Sequence, residues 1–383
     1  MIKKSLNIVV FIILVFAFTL IKVDANAYNI RIGLQTRVSE ALIGCLSNSA
    51  IFDAKNNHPM IKLKAKQKYI VFAKDNNICI KKKSTDAIYE TKQDSIFIIP
   101  ITANSLMYAK DRWYRGSLKL VAKGNCITVI NVVNLEDYLK SVVPSEMPAS
   151  WSEEALKAQS IAARSYAISN INKRNSEGYD LKDTPQDQAY TGYIKEHQRT
   201  NNVINATQNL VLVSNNKVVP AYYHSSSGGI TDNNVWNSKV NFVKPVKSFD
   251  SESPKANWSK KIPIEKTNRL LASAGMNIGS IVSIMPTEKS EYGRIKKLRL
   301  IGSTGSVIIA VENFQRILNL PSNFFRVFIS GGCLLIDGKG SGHGLGMSQW
   351  GAKHLAERGC NAFQILGYYY TNVEIRKINN AKI

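Results

Sequence analysis

Between Tyr28 and about Val133, apolar and polar residues alternate in short stretches broken by Asn, Lys and Gly, as in Ile30-Arg31-Ile32-Gly33-Leu34 and Ile127-Thr128-Val129-Ile130. A period of two sends one set of side chains to a core face, so this part predicts β-strands. Ser117-Leu118-Lys119-Leu120-Val121 is one of them, with Ser117 and Lys119 facing water. Leu135 to Lys140 predicts a short helix, and Ser150 to about Lys173 a long one. In the long one Ala155, Leu156, Ala158, Ala162, Ala163, Tyr166 and Ala167 form a small-residue stripe suited to close packing. Ser150 with Glu153 spells a capping box, and Lys173 and Arg174 suit the negative end of the dipole. Gln208–Ser214 and Lys217–Tyr223 flank Asn215-Asn216, a hairpin signal. Trp258 to Phe325 mixes short helices and strands, a candidate second lobe. A last helix is expected over Ser348–Arg358, stopped by Gly359. Together these elements predict an α+β fold, a two-lobed β-rich domain with helices flanking a central cleft.

The first 27 residues stand apart. Lys3 and Lys4 precede an apolar run from Ile8 to Ile21, and Ala25-Asn26-Ala27 has the small-x-small form of a cleavage site. The segment is read as a signal peptide or a membrane anchor, with a buried core helix the remaining alternative, and the chain is expected to be extracytoplasmic. Of 383 residues, 44% are hydrophobic and 20% charged, which excludes wholesale disorder and a coiled coil. Lys plus Arg number 50 against 28 Asp plus Glu, a net +22. A polyanion is the natural partner. An exported chain without a helix-turn-helix, RNP or zinc-finger pattern points away from nucleic acid and toward acidic lipid, wall polymer or peptidoglycan carboxylates. The other reading of the charge is solubility or coding bias. Cys45, Cys79, Cys126, Cys333 and Cys360 form no CxxC and read as small buried hydrophobes.

Three stretches could carry chemistry. In Pro144-Ser145-Glu146-Met147-Pro148 two prolines frame one carboxylate, which is expected on a stiff turn just before the long helix. Its apolar neighbours Val142, Val143, Met147 and Trp151 would raise its pKa toward that of a general acid, while the following helix N-terminus would lower it. A plain helix-capping role is equally open. Asp337 to Gly346 has glycine at every second position five times over but fits neither GxGxxG nor the P-loop. Read as an extended strand, its bare face would admit a sugar ring or a packed neighbour, with His343 pointing the other way. Ala221-Tyr222-Tyr223-His224-Ser225-Ser226-Ser227-Gly228-Gly229 mixes rings and hydroxyls that suit carbohydrate, or else is a strand end packed in the core. Gly-x-Ser-x-Gly is absent, so a serine hydrolase is a weak alternative.

At these residues the chain resembles the stage II sporulation protein D family, the SpoIID/LytB domain. The likeness is carried by Leu135 to Leu139 with Val142 to Pro148, by Glu154 to Gln159 with Ala162 to Ala167, and by Gln188-Ala189-Tyr190. Tyr223 to Gly229, Gly340 to Gly344 and Met347 to Ala352 continue it. It implies a lytic transglycosylase acting, in forespore engulfment, on peptidoglycan glycan strands from which an amidase has stripped the peptides. On it the chain divides into 1–27, the export segment; 28–134, a β-rich N-terminal part; 135–375, the catalytic part; and 376–383, a tail. Glu146 falls on the family's catalytic glutamate. Arg164 matches a position important for activity, where a guanidinium would hold the lactyl carboxylate of muramic acid bidentately, or else form a salt bridge on a helix face. Tyr166, Gln188, Tyr190, Tyr223, His224, Ser225, Ser226, His343 and Gln349 are the further substrate-binding candidates. The implied partners are glycan strands, a sporulation amidase and membrane engulfment proteins, with no cofactor. Some relatives bind zinc near the segment matching Asp180–Gln188; that stretch here holds neither Cys nor His, so no metal is expected there. The alternative of another class is a non-catalytic wall-binding amidase enhancer of the LytB type.

Overall fold

The alternating N-terminal sequence folds into two sheets. A computed structural model describes residues 28–84, 87–236 and 239–378; the expected export segment, residues 1–27, and residues 379–383 of the tail lie outside the described residues. The larger sheet has seven strands, in the order Leu181–Lys182, Asn29–Val38, Cys126–Asn134, Ser117–Lys123, Ser95–Pro100, Ser49–Asp53 and Pro59–Leu63. Leu118, Leu120 and Ala122 are buried beside Ile127 and Val129 of the facing strand, while Ser117 and Lys119 lie on the more open face. The short Leu181–Lys182 strand runs parallel to Asn29–Val38 and is pinned by the Asp180 carboxylate, which takes the Arg31 guanidinium at 2.6 Å. That anchor sets the loop from Asp183 to Thr191, which passes beside the functional site. A six-stranded sheet, from Arg112–Tyr114 to Ile88–Glu90, covers the other side.

Two helices differ from the sequence reading. Helix α1 runs from Leu135 to Glu146, capped by Asn134 Oδ1 on the Glu136 N–H at 2.9 Å, and carries Pro144 in its last turn. Glu146 therefore ends a helix and does not sit on a separate turn; a proline there removes one N–H from the ladder without stopping the chain. Met147 then leaves in an extended conformation, as a residue before proline prefers. Helix α2 spans Glu153–Ser169 with Ser152 at its N-cap and no side-chain cap. Ser150 makes no capping box, because the Trp151 N–H donates to the Pro148 carbonyl and closes a turn around it. Lys173 and Arg174 lie beyond the C-terminus. The small-residue stripe is real, and nearly the whole helix is buried.

Helix α3 spans Gln198–Ala206, and the predicted hairpin follows with both Asn215 and Asn216 at positive φ, the primed-turn geometry. The chain then leaves this first core and builds a second hydrophobic cluster, from Ile262 to Ile336. It packs α4, Ile264–Ser273, and α5, Val311–Leu318, on two three-stranded sheets around Leu298, Phe314 and Leu334. The chain returns to the first cluster at Leu345. Helix α6, Gln349–Glu357, is capped by Ser348 and followed by Gly359 at φ 89°. A further helix, α7, Ala362–Tyr369, escaped the sequence reading, although Asn361 and Gln364 spell its capping box. The glycine-rich stretch is not an extended strand: the strand ends at Lys339, and Gly340, Gly342, Gly344 and Gly346 all take positive φ. The five cysteines are free.

Candidate active site

Glu146, at the end of α1, opens into a pocket of about 430 Å³ walled by Tyr166, Tyr222, Tyr223, His224, Trp236, His343 and Gln349. Its carboxyl is held from both sides by neutral donors. Oε1 accepts the Ala189 N–H at 2.9 Å, and Oε2 accepts Gln349 Nε2 at 3.1 Å. Among the described residues no lysine or arginine makes an ion pair with it. Burial raises its pKa above the ordinary carboxylate value, and the two hydrogen bonds only partly oppose that. The helix dipole acts in the same direction as burial, since Glu146 stands at the negative end of α1. This reverses the sign expected from the sequence, which placed Glu146 ahead of a helix. Trp151 is not the cover; its ring packs edge-on against Trp350, 4.9 Å between centroids.

Asp187 is a second carboxylate on the pocket wall, with the opposite bias. Burial works to raise its pKa, but the Lys173 ammonium at 2.8 Å, the Lys182 N–H and the Arg174 guanidinium outweigh it, and the group stays below the usual range. It also accepts the Tyr166 hydroxyl at 3.2 Å. All its capacity is taken, so it fixes Tyr166 and Lys173 and leaves no oxygen for a reacting carbon. On the far wall the rings of His224 and His343 lie 5.5 Å apart. Burial, and then the Arg294 guanidinium, push His343 down to about 4; burial likewise holds His224 well below its usual value. Both are neutral at neutral pH. His224 Nδ1 meets the Leu345 carbonyl at 3.0 Å, and its Nε2 has no protein partner among the described residues, leaving a hydrogen-bonding position in the pocket wall.

Seven of the sequence candidates thus come together: Glu146, Tyr166, Tyr223, His224, Ser225, His343 and Gln349. Four do not. Arg164 is fully buried, and its guanidinium grips Glu136 through two bonds of 2.8 and 2.7 Å and the Leu210 carbonyl at 3.1 Å. Its fork is occupied, which corrects the expectation that it holds a muramic carboxylate in favour of the salt-bridge alternative. Gln188 lies beneath the wall, accepting Tyr138 and donating to Tyr223 at 2.8 Å and to Ala163; it positions Tyr223 and is itself inaccessible. Tyr190 is a core residue whose hydroxyl bonds Asn131 at 2.7 Å. Ser226 is buried and pairs through its backbone with Ser341. Sequence reasoning gave no role in the site to Trp236, Lys173 or Asp187, and took in Tyr222 only as one ring of the 221–229 run. Asp187 carried a signal, standing directly before Gln188-Ala189-Tyr190; Trp236 carried none.

The glycines of 340–346 shape this wall by being small. A Cβ on Gly344 would stand 2.1 Å from Cζ of Arg294, and one on Gly342 2.7 Å from Cβ of His224. Protein fills the space that an extended strand was expected to open to a sugar. Arg294 itself is fully buried, donating to the Ser227 carbonyl at 2.6 Å and to Asn323, and lies over Phe324.

A family described as Stage II sporulation protein matches residues 123–213, and a domain of unknown function, DUF8618, matches 230–346, which contains the whole second cluster. Stage II sporulation protein D of Bacillus amyloliquefaciens is 31% identical over 269 residues, 65% of this chain and 76% of that protein. An uncharacterized protein of Brachyspira hyodysenteriae is 31% identical over 272 residues, 70% of this chain and 73% of its own. An amidase enhancer of Bacillus subtilis is 31% identical over 288 residues; the match covers 61% of this chain and 39% of the enhancer.

Proposed function

The chain belongs to the stage II sporulation protein D family, and from that premise we propose that it is a lytic transglycosylase. Its substrate is peptide-stripped glycan of peptidoglycan, cut between N-acetylmuramic acid and N-acetylglucosamine during sporulation. The observation that carries the reading is the state of Glu146: a carboxyl of raised pKa, aimed by two neutral donors and paired with no cation among the described residues. Protonated, it gives its proton to the bridging oxygen as that bond breaks. The carboxylate so formed then takes the proton of the muramic 6-hydroxyl, whose oxygen closes on C1 as a 1,6-anhydro ring. No water is consumed. The two-carboxylate hydrolysis of other glycosidases needs a second free carboxylate, and Asp187 is saturated. Tyr166, Tyr223 and Trp236 offer ring faces to sugar, and Ser225, Gln349 and the His224 Nε2 offer polar contacts. In this reading the pocket belongs to a central cleft between two lobes, residues 135–375 are the catalytic part, and residues 1–27 export or anchor the chain outside the cytoplasmic membrane. There it works with a peptide-stripping amidase and the membrane proteins of engulfment.

The relative named amidase enhancer favours a second reading, a wall-binding protein that stimulates an amidase without cutting glycan. Digestion of peptide-free glycan strands, with products weighed by mass spectrometry, separates the two. Anhydro-ended fragments that disappear in Glu146→Gln support the enzyme. Intact strands at all pH values support the enhancer, and reducing-end products would mean hydrolysis.

A further inference from the structure

Lys173 stands in the turn after α2, where its backbone N–H donates to the Asn170 carbonyl, and it lines the pocket of Glu146. Among the described residues it is the one lysine or arginine on that wall. A free lysine sweeps through solvent, but this one is tied down. Its ammonium donates to the Asp187 carboxylate at 2.8 Å and to the Tyr166 hydroxyl at 3.4 Å, and lies 5.7 Å from the centre of the Tyr166 ring. The Asp187 side chain is fully buried and so is a fixed post, whereas 38% of the Lys173 side chain stays open. Two of the three ammonium N–H groups are spent on these contacts, and one remains.

Asp187 answers two cations at once, Lys173 and the Arg174 guanidinium at 2.6 Å, so the cluster carries one positive charge in excess. The two histidines of the pocket are neutral and add nothing to it. An ammonium with a spare N–H and an uncancelled charge, beside aromatic rings that suit a sugar, fits a carboxylate carried on that sugar. N-acetylmuramic acid carries one on its lactyl group, but only once the peptide is gone: in the intact wall that carbon is an amide, without charge. We propose that Lys173 is the residue by which the pocket selects peptide-stripped strands, pairing with the lactyl carboxylate that peptide removal exposes. The inference rests on the reading of the chain as a protein of peptidoglycan glycan. It places the chain after an amide hydrolysis, in which water adds across the lactyl amide bond and leaves a carboxylate on the sugar and an ammonium on the released peptide. It also supplies the muramic-carboxylate contact that Arg164, locked to Glu136, does not make.

Binding is measured on the full chain carrying Glu146→Gln, so that no strand is cut, with two probes: short peptide-free glycan strands, and the same strands with each lactyl carboxylate converted to its uncharged methylamide. The carboxylate strands should bind about three- to tenfold more tightly at low salt, and adding Lys173→Gln should bring that ratio to about one. Lys173→Arg, which keeps the charge, keeps the preference. Lys266→Gln removes the same charge from the exposed face of α4 in the second cluster and should leave the ratio as it was. Equal affinity of the unsubstituted lysine protein for both strands overturns the inference, and this comparison needs no lysine variant to fold. A ratio that survives Lys173→Gln, or falls as far in Lys266→Gln, also overturns it and gives the preference to the positive charge of the whole chain. Loss of the ratio in Lys173→Arg as complete as in the Gln variant overturns it too, because Lys173 would then act only by packing. The outcome is independent of cleavage. If the wild-type chain makes no anhydro ends but the ratio collapses in Lys173→Gln, the transglycosylase reading fails and the inference stands; if cleavage occurs and the ratio does not move, the inference fails alone.

Discussion

Replacing Glu146 by Gln changes one atom's protonation chemistry and little else. The amide oxygen accepts the Ala189 N–H as Oε1 does now, and Gln349 turns its own amide so that its oxygen, not its nitrogen, meets the new NH₂ group. The pocket keeps its shape, and affinity for glycan should stay within about threefold. A positioned general acid contributes about 10²- to 10⁴-fold, and here the same group also acts as base, so cleavage of peptide-free strands should fall by at least about 10³-fold, roughly 4 kcal/mol of barrier. Stability moves the other way. The folded-state pKa of Glu146 is raised, so its favourable contribution is present below the unfolded carboxylate pKa and is lost as pH rises through the folded value. Gln does not titrate, so the variant should gain on the wild type in urea unfolding as pH is raised from 4 to 8, while wild-type activity falls along an alkaline limb at that same pKa. Product release followed by mass spectrometry and urea midpoints at several pH values test both halves. Turnover within tenfold of wild type, or a stability difference that does not vary with pH, refutes the assignment.

Three further outcomes follow from the structure. Arg164→Met breaks a buried pair and strands the Glu136 carboxylate, costing about 3–5 kcal/mol in urea unfolding with unchanged glycan affinity in the folded protein; weaker binding at unchanged stability would restore a substrate role. Gly344→Ala forces a Cβ into the fixed Arg294 guanidinium from a positive φ and should cost more than about 2 kcal/mol, read from the urea midpoint, whereas Gly359→Ala, with open space around it, bears only the backbone strain. His343 has a depressed folded pKa, so its contribution is present above about pH 6.5 and is lost as pH falls toward about 4; His343→Gln should flatten that acid limb of thermal stability, and an unchanged limb would place the titration elsewhere.

Local order was legible where the physics is local. Alternation placed Ser117–Lys123 and its neighbours in a sheet, a 3.6-residue stripe located α2, two asparagines specified the primed turn, and Gly359 marked the end of α6. The motif residues around Glu146, Tyr223 and His343 were also visible as a set, and the structure gathers most of them into one pocket. The rest depended on partners far along the chain. Glu146 gets its raised pKa from burial and its aim from Ala189 and Gln349, 43 and 203 positions away. Arg164 is claimed by Glu136, Gln188 by Tyr138 and Tyr223, and the glycines of 340–346 by Arg294, His224 and the Tyr222 carbonyl. Periodicity and capping are set by neighbours within a turn or a strand pair, so the chain states them directly. Desolvation, ion pairing and steric closeness arise only when distant segments are packed together, and the tertiary structure alone decided which carboxyl has its pKa raised and which lowered, and which guanidinium is already taken.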